Sequence, residues 1–547
     1  VCAKIQLSMT IPSYNECFEK SVRKHWNFVA LSDYQECDFT YGDVARHIER
    51  LHRAFDRLGI NAGDKIAICG RNSSRWGIAF WACLTRGIVA VPILHEFHPS
   101  QVADIVKHSE SKLLFVSHLI WPKLDAQAFE GVEIVSLHDF SCLQGTFEMP
   151  ELEKDITPDD VNYYRDQAEE MAVLNYTSGT TSNSKGVMIP YRAMWSNLDF
   201  ANEVLGAVAK PGDQVVSILP MAHMYGMAFE FLFEICSGCH ITFLTKNASP
   251  TVLLKALKEI RPLLVIAVPL IIEKVVRRAV LPKLQTPLMR VLLSIPGISR
   301  IVKNKVRDQL SAAFGGNFFE VIMGGAALSN EIEAFLRDIR FPFTVGYGTT
   351  ECAPILAYRD WHTFVPKSCG QAARNMQLRI NSADPQHIDG EILAKGPNVM
   401  LGYYKNPEAT AATIDADGWY HTGDMGIIDS DGNLFIRGRC KNMLLGANGQ
   451  NIYPEEIEDK LNAMPLVTES IVIQKNEKLY ALIYADPDAV QAAGVKDLAA
   501  FMENNRREVN KLLPSYAQIT GVRLYSQEFE KTPKKSIKRF LYLDAEV

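Results

Sequence analysis

A chain of 547 residues, 47% hydrophobic and 22% charged, with a formal net charge of −6, has the composition of an ordinary globular protein large enough for more than one domain. The acidic balance gives no ground for nucleic-acid binding. Eleven irregularly spaced cysteines read as reduced thiols of a cytoplasmic protein rather than a disulfide framework, and no signal-peptide pattern is visible at Val1.

Residues 41–58 place Val44, Ile48, Leu51, Phe55 and Leu58 at alternating steps of four and three, the stripe of an amphipathic helix that Gly59 ends. Residues 65–69 read as a strand, 72–74 as a cap, 76–86 as a helix and 88–93 as the next strand. A helix from Pro99 and a strand at 113–117 repeat the alternation, which predicts a parallel sheet covered by helices. The longest apolar stretch, 262–272, is too short to cross a bilayer, and the stretch 77–94 is interrupted by Arg86.

Residues 176–187, YTSGTTSNSKGV, set Ser and Thr hydroxyls, two glycines and Lys185 between a strand at 172–176 and another at 187–189. Thr177, Ser178, Gly179, Thr180 and Thr181 can turn hydroxyls and backbone N–H groups, together with Lys185, toward one polyphosphate, so ATP is the expected ligand. The pattern is not G-x-x-x-x-G-K-[ST]: only Gly179 precedes the lysine, Gly186 follows it, and no helix opens directly afterwards.

Cys236, Cys239 and His240 spell C-x-x-C-H, the spacing of a haem attachment or redox pair. They lie in the apolar run FLFEICSGCHITFL, which favours buried core cysteines instead. Residues 274–307 carry nine Lys or Arg side chains and no Asp or Glu, a basic patch in an acidic protein.

Residues 425–428, the Asp431-Gly432 turn and 434–437 read as a hairpin. GRCKN (438–442) and the glycine-punctuated LLGANGQNIY then lead to a helix with Pro454 in its first turn and Glu455, Glu456 and Glu458 near its positive end. A hairpin about Asn476-Glu477, a helix over 496–513 and a strand near 522–525 complete a small α+β unit. The domains are expected at 1–439 and 440–547.

Besides YTSGTTSNSKGV, the chain carries LPMAHMYG (219–226), GGAAL (324–328), GYGTTE (346–351), GWYHTGD (418–424), and GRCKN with GQNIYPEEIE (438–458). In this order, over nearly the whole chain, the segments resemble the adenylate-forming superfamily of acyl-CoA synthetases, firefly luciferase and peptide-synthetase adenylation domains. They most resemble its long-chain fatty acyl-CoA synthetase branch. Ser182 and Ser184 stand where the family usually has Gly and Pro.

The resemblance implies a large α/β N-terminal domain of helix-covered, parallel-type sheets with a β-rich part, followed by a small mobile α+β C-terminal domain. It implies that a fatty acid attacks the α-phosphate of ATP, that pyrophosphate leaves, and that coenzyme A takes the acyl group from acyl-AMP. Lys185 and the loop hydroxyls would hold the β- and γ-phosphates, with Thr350 and Glu351 on the Mg²⁺ side. Gly324, Gly325 and Ala326 would admit the adenine, Tyr347 would stack on it beside Gly348, Asp424 would accept from the ribose hydroxyls, and Arg439 would meet a phosphate. His223 would lie between acyl carbonyl and α-phosphate, Met227 at the acyl-tunnel gate, and Lys441 at a hinge.

In KTPKKSIKR (531–539) the family's C-terminal lysine falls on Ser536. On an extended strand Lys534 and Lys538 would share the face of Ser536 at about 6.6 Å, and Lys534 is the expected substitute. The basic patch is expected to be either a solvated face or a weak peripheral contact with the inner face of an anionic membrane. Two alternatives stay open beside the acyl-CoA ligase: an acyl-AMP ligase loading a carrier protein, and a non-catalytic acyl or nucleotide binder.

Overall fold

A computed structural model describes residues 12–177, 184–245, 250–446, 450–532 and 537–545. The first long helix, Tyr41–Arg57, starts on a capping box: Asp43 N donates to Thr40 Oγ1 at 3.1 Å and Thr40 N to Asp43 Oδ2 at 2.9 Å. Its apolar stripe, Val44, Ile48, Leu51 and Phe55, is buried, and Gly59 follows at φ +65°. The next helix is Ser74–Leu84, two residues earlier than its sequence suggests, because Ser73 accepts from Trp76 N and starts it there. This helix is buried nearly all round, with Trp81 stacked on Phe18 at 3.9 Å.

An eight-stranded sheet runs in the order Gly402–Tyr403, Lys185–Pro190, Met171–Thr177, Val89–Leu94, Lys65–Gly70, Leu113–Val116, Glu133–Ser136, Cys142–Gln144. Its five inner strands are parallel, as the βαβ alternation predicts. Both margins are antiparallel, so the sheet is mixed: Lys185–Pro190 returns along Met171–Thr177, Gly402–Tyr403 pairs with it, and Cys142–Gln144 closes the far edge. A hairpin needs no crossover helix, which is why the phosphate-loop segment breaks the parallel pattern.

Val265–Ala267, Val321–Met323 and Phe343–Val345 form a three-stranded parallel sheet. Gln377–Asn381, Gly390–Lys395, Tyr420–Ile428 and Leu434–Arg439 form the β-rich part, wholly antiparallel. The closing small unit pairs Glu469–Lys475, Lys478–Tyr484 and Ile519–Tyr525, covered by helices Pro454–Asn462 and Leu498–Asn510. Asn476 and Glu477 turn its hairpin with φ of 48° and 60°, the left-handed pair a two-residue loop needs.

Apolar burial divides accordingly. One set of packed clusters draws its buried side chains from Tyr14 to Leu434, the other from Ile452 to Phe529. The fold is thus a large N-terminal α/β unit with a β-rich part and a smaller C-terminal α+β unit. Among the described residues no helix is long and apolar enough to cross a membrane. Cys236 and Cys239 are free thiols, the latter buried, and His240 Nε2 lies 2.6 Å from Ser32 Oγ.

Candidate active site

The site opens at the carboxyl ends of the three-stranded parallel sheet, the usual place for a ligand in open α/β sheets. Val321–Met323 runs into Gly324, Gly325 and Ala326, and Phe343–Val345 into Gly346 and the short strand Tyr347–Gly348. Gly346 N donates to Met323 O at 2.8 Å, so the two turns lie side by side. Gly348 has no space for a side chain, since a Cβ there would collide with Pro354 O. Gly324 packs under the Tyr225 ring, whose hydroxyl donates to Ile322 O at 3.0 Å.

Three residues from separate motifs meet on one carboxylate. The Tyr347 hydroxyl donates to Asp424 Oδ2 at 2.6 Å, and Arg439 Nε lies 2.9 Å from Asp424 Oδ1. Asp424 and Arg439 are cross-strand partners in the β-rich sheet, which fixes that pair. Burial pushes the Asp424 carboxyl above its ordinary range, while Arg439 and Tyr347 pull it down. Both oxygens already have a hydrogen-bonding partner, and the exposed Arg439 head can swing away from one of them.

A second cluster joins the phosphate hairpin to GYGTTE. Thr177 and Lys185 face each other across the hairpin; Ser178, Gly179, Thr180 and Thr181 lie outside the described residues. Lys185 Nζ stands 4.6 Å from the Tyr403 ring centroid, and the Tyr403 hydroxyl donates to Glu351 Oε1 at 3.0 Å. Glu351 sits with Thr350 on a single 3₁₀ turn, and Met400 N donates to Glu351 O at 2.8 Å. Tyr403 is buried and held opposite Val187 by strand pairing. Sequence reading did not single it out; the only available signal was an aromatic pair, Tyr403-Tyr404, closing a glycine turn.

His223 caps the short helix Met224–Met227, at the end of a loop held from three sides. Asn72 Oδ1 accepts from Met221 N at 2.8 Å, and its Nδ2 donates to Leu219 O at 2.6 Å. Asn175 Nδ2 donates to Ala222 O at 3.0 Å. Glu230 Oε2 accepts from Ile218 N at 3.0 Å and Leu219 N at 2.9 Å. Glu230 is fully buried, and burial raises its carboxyl well above the usual range. It too escaped sequence reading, although a carboxylate inside an apolar helical run was a signal.

Met227 is buried within this helical run. A small cavity beside the run is lined by Tyr14, Met194, Leu198, Met224, Ala228 and Leu232 among others. Its volume of about 10 Å³ is one water-sized sphere.

Lys441 is exposed on the turn after Leu434–Arg439, where Cys440 N donates to Gly423 O at 2.9 Å and Asn442 N to Arg439 O at 3.0 Å. Lys534 and Ser536 lie outside the described residues. Lys531 and Ile537 form an antiparallel bridge, and Lys538 Nζ pairs with Glu530 at 3.2 Å. The alternation of faces expected over 531–539 thus falls on a segment of which residues 533–536 lie outside the described residues. Arg539 anchors the tail, with Nη1 and Nη2 each 2.6 Å from the Glu458 carboxylate.

The model of the family described as AMP-binding enzyme matches residues 18–404, and that of the AMP-binding enzyme C-terminal domain matches residues 441–545. The chain belongs to the AMP-binding enzyme family. A long-chain-fatty-acid–CoA ligase of Mycobacterium bovis, FadD15, is 27% identical over 92% of this chain and 90% of its own. A 4-coumarate–CoA ligase of Vanilla planifolia is 28% identical over 87% of this chain and 83% of its own. Among solved structures, the o-succinylbenzoate CoA synthetase of Bacillus subtilis in complex with its acyl-adenylate superposes with a TM-score of 0.77 at 19% identity, covering 98% of each chain. The ATP-bound MatB of Rhodopseudomonas palustris gives 0.76 at 21% identity, over 97% of this AMP-binding enzyme and 99% of the other chain. These likenesses establish the adenylate-forming fold, a large N-terminal domain and a smaller C-terminal one.

Proposed function

We propose that this AMP-binding enzyme is an AMP-forming acyl-CoA ligase of long-chain fatty acids, acting in the cytoplasm. The observation that carries the reading is the convergence on one segment, 347–351, of a nucleotide side and a phosphate side. Tyr347 reaches Asp424, which also pairs with Arg439, while four residues on Glu351 reaches Tyr403 beside Lys185.

In the first half-reaction a carboxylate oxygen bonds to the α-phosphorus of ATP and pyrophosphate leaves. In the second the thiol sulfur of coenzyme A bonds to the acyl carbonyl, its proton is released, and AMP departs. Asp424 would accept from the ribose hydroxyls, Gly324, Gly325, Ala326 and Tyr347 would bound the adenine, and Arg439 and Lys185 would neutralise phosphate charge. His223, on its clamped loop, would hold the acyl carbonyl near the α-phosphate. Glu351 and Thr350 offer one carboxylate and one hydroxyl, a donor set that suits Mg²⁺, which keeps waters and takes its remaining ligands from phosphate oxygens. When bound, the ion offsets negative charge on the leaving pyrophosphate.

The proposed domain boundary lies between Arg439 and Cys440, with Lys441 as the pivot between half-reactions; the gap between the buried clusters ending at Leu434 and beginning at Ile452 supports it. Lys534 remains the proposed C-terminal lysine for adenylation. The Mycobacterium bovis relative supports the long-chain reading, and the 4-coumarate ligases favour a second one, an aryl acid.

A pyrophosphate-release screen tests this, using fatty acids of increasing length and 4-coumarate, each with coenzyme A, with a carrier protein, or with neither acceptor. Release that rises with chain length and thioester formed only on coenzyme A is expected. Preference for the aryl acid would replace the substrate class, thioester on the carrier protein alone would replace the acceptor, and no release with any acid would end the ligase reading.

A further inference from the structure

The basic patch of 274–307 folds as helices, among them Leu281–Leu284, Pro287–Ser294 and Ile298–Ala313, with Pro296 and Gly297 (φ +86°) turning the last two into a hairpin. Leu288 (70% exposed), Val291 (59%), Ile295 (41%), Ile298 (38%) and Ile301 (68%) all stand in solvent. Leu288 and Val291 are three apart on the first helix and Ile298 and Ile301 three apart on the second, so each pair shares a helix face, with Ile295 at the turn between them. Single exposed apolar residues are ordinary, whereas five within fourteen residues of one helical hairpin point to a binding surface.

The cations sort into two groups. Arg277 pairs with Glu331, Lys303 with Asp338 and Arg307 with Asp308, each within 2.9 Å, so the patch is less charged than its sequence suggests. Lys283, Arg290, Arg300 and Lys305 are exposed and, among the described residues, make no ion pair. No acidic residue lies between Glu273 and Asp308.

We propose that this helical hairpin docks on an anionic lipid bilayer, its exposed apolar side chains entering the interface and Lys283, Arg290, Arg300 and Lys305 meeting the headgroups. Large exposed apolar side chains and unpaired cations on one helical hairpin match both layers of such a surface. A second copy of the chain fits poorly, because a two-fold contact through the hairpin would bring like charges together. Docking does not depend on the acid activated, since it is measured without turnover; for a long-chain substrate it would place the enzyme where such acids partition.

The test is co-sedimentation of the full chain with phosphatidylcholine vesicles with and without phosphatidylglycerol, at low and physiological salt. Binding is expected with the anionic vesicles and should weaken with salt. The quadruple variant Lys283→Gln, Arg290→Gln, Arg300→Gln, Lys305→Gln should lose about fivefold in partition per cation removed. The variant Leu288→Ser, Ile301→Ser should also lose binding while melting like the wild type and releasing pyrophosphate at the same rate from a short acid. Equal binding to neutral vesicles, or unchanged binding by either variant, overturns the proposal. So does a wild-type dimer that the serine variant dissociates without loss of vesicle binding, which would make these apolar side chains a contact between copies.

Discussion

The Tyr403 hydroxyl donates to Glu351 Oε1 at 3.0 Å, and the same ring stands under Lys185 Nζ. One buried side chain thus touches both the cation proposed for the phosphates and the carboxylate proposed for Mg²⁺. Lys185→Ala and Glu351→Gln are each expected to slow pyrophosphate release about a hundredfold at saturating Mg-ATP, with folding intact. Tyr403→Phe keeps the ring and loses the hydroxyl; a roughly tenfold loss and a raised Mg²⁺ requirement are expected, from one hydrogen bond to a charged acceptor. Tyr403→Leu should lose a few-fold more as the cation–π contact goes. A Mg²⁺ titration identical for wild type and Tyr403→Phe would remove Tyr403 from this role.

Asp424 is expected to trade stability for ligand binding. Burial raises its carboxyl from the ordinary value of 3.8, and a group so raised stabilises the fold in its protonated form. That contribution is full below the ordinary value and is lost as pH climbs through the raised one, so an ionised Asp424 costs stability at neutral pH. Asp424→Asn should therefore gain in melting temperature relative to wild type between about pH 4 and about pH 7, while binding AMP about tenfold more weakly. The exposed Arg439 it leaves behind is solvated. A variant that melts lower at neutral pH and binds AMP normally would assign the carboxylate to structure alone.

Glu230 holds two backbone N–H groups of the loop that ends at His223. Since burial keeps its carboxyl neutral well above the usual range, Glu230→Gln should cost no more than about 1 kcal/mol and leave adenylation near wild type. Glu230→Ala orphans both donors, with an expected loss of about 3 kcal/mol in denaturant unfolding and slower pyrophosphate release. Equal behaviour of the two variants would show that the acceptor does not position the loop.

Motion of the small unit gives a last pair of outcomes. Lys441→Pro restricts φ on the turn after Arg439 and should slow thioester formation more than adenylate formation; equal slowing of both would move the pivot elsewhere. Arg539→Ala leaves the buried Glu458 unpaired and should destabilise the C-terminal unit by about 3 kcal/mol, read as lost amide protection there. Protection unchanged in the strand Glu469–Lys475, whose own Val472 N donates to Glu458, would count against that anchor.

Elements with a local cause were readable from the chain alone. The period of the helix Tyr41–Arg57 and the Gly59 that follows place it to within one residue, and the Asn476-Glu477 turn marks its hairpin. The helix Ser74–Leu84 was harder to bound because it is buried nearly all round and carries little periodicity. Nothing in YTSGTTSNSKGV says whether its flanking strands lie parallel, and the antiparallel return that makes the sheet mixed is a matter of pairing. The bridge between Lys531 and Ile537 is likewise a matter of pairing, and residues 533–536 between them lie outside the described residues.

The order of the motifs determined the family and named Lys185, Glu351, Tyr347, Asp424 and Arg439 as residues of interest, because each motif is a short, local pattern of residue types. Only tertiary structure decided which of them touch. Tyr403 meets Glu351 because Gly402–Tyr403 pairs at the edge of a sheet formed far earlier in the chain, and Tyr347 meets Asp424 because two separate sheets pack together. It also divided the basic patch into paired and unpaired cations, by bringing Glu331 and Asp338 beside Arg277 and Lys303. Contacts between residues distant in sequence depend on register and packing, and a linear pattern of residue types carries neither.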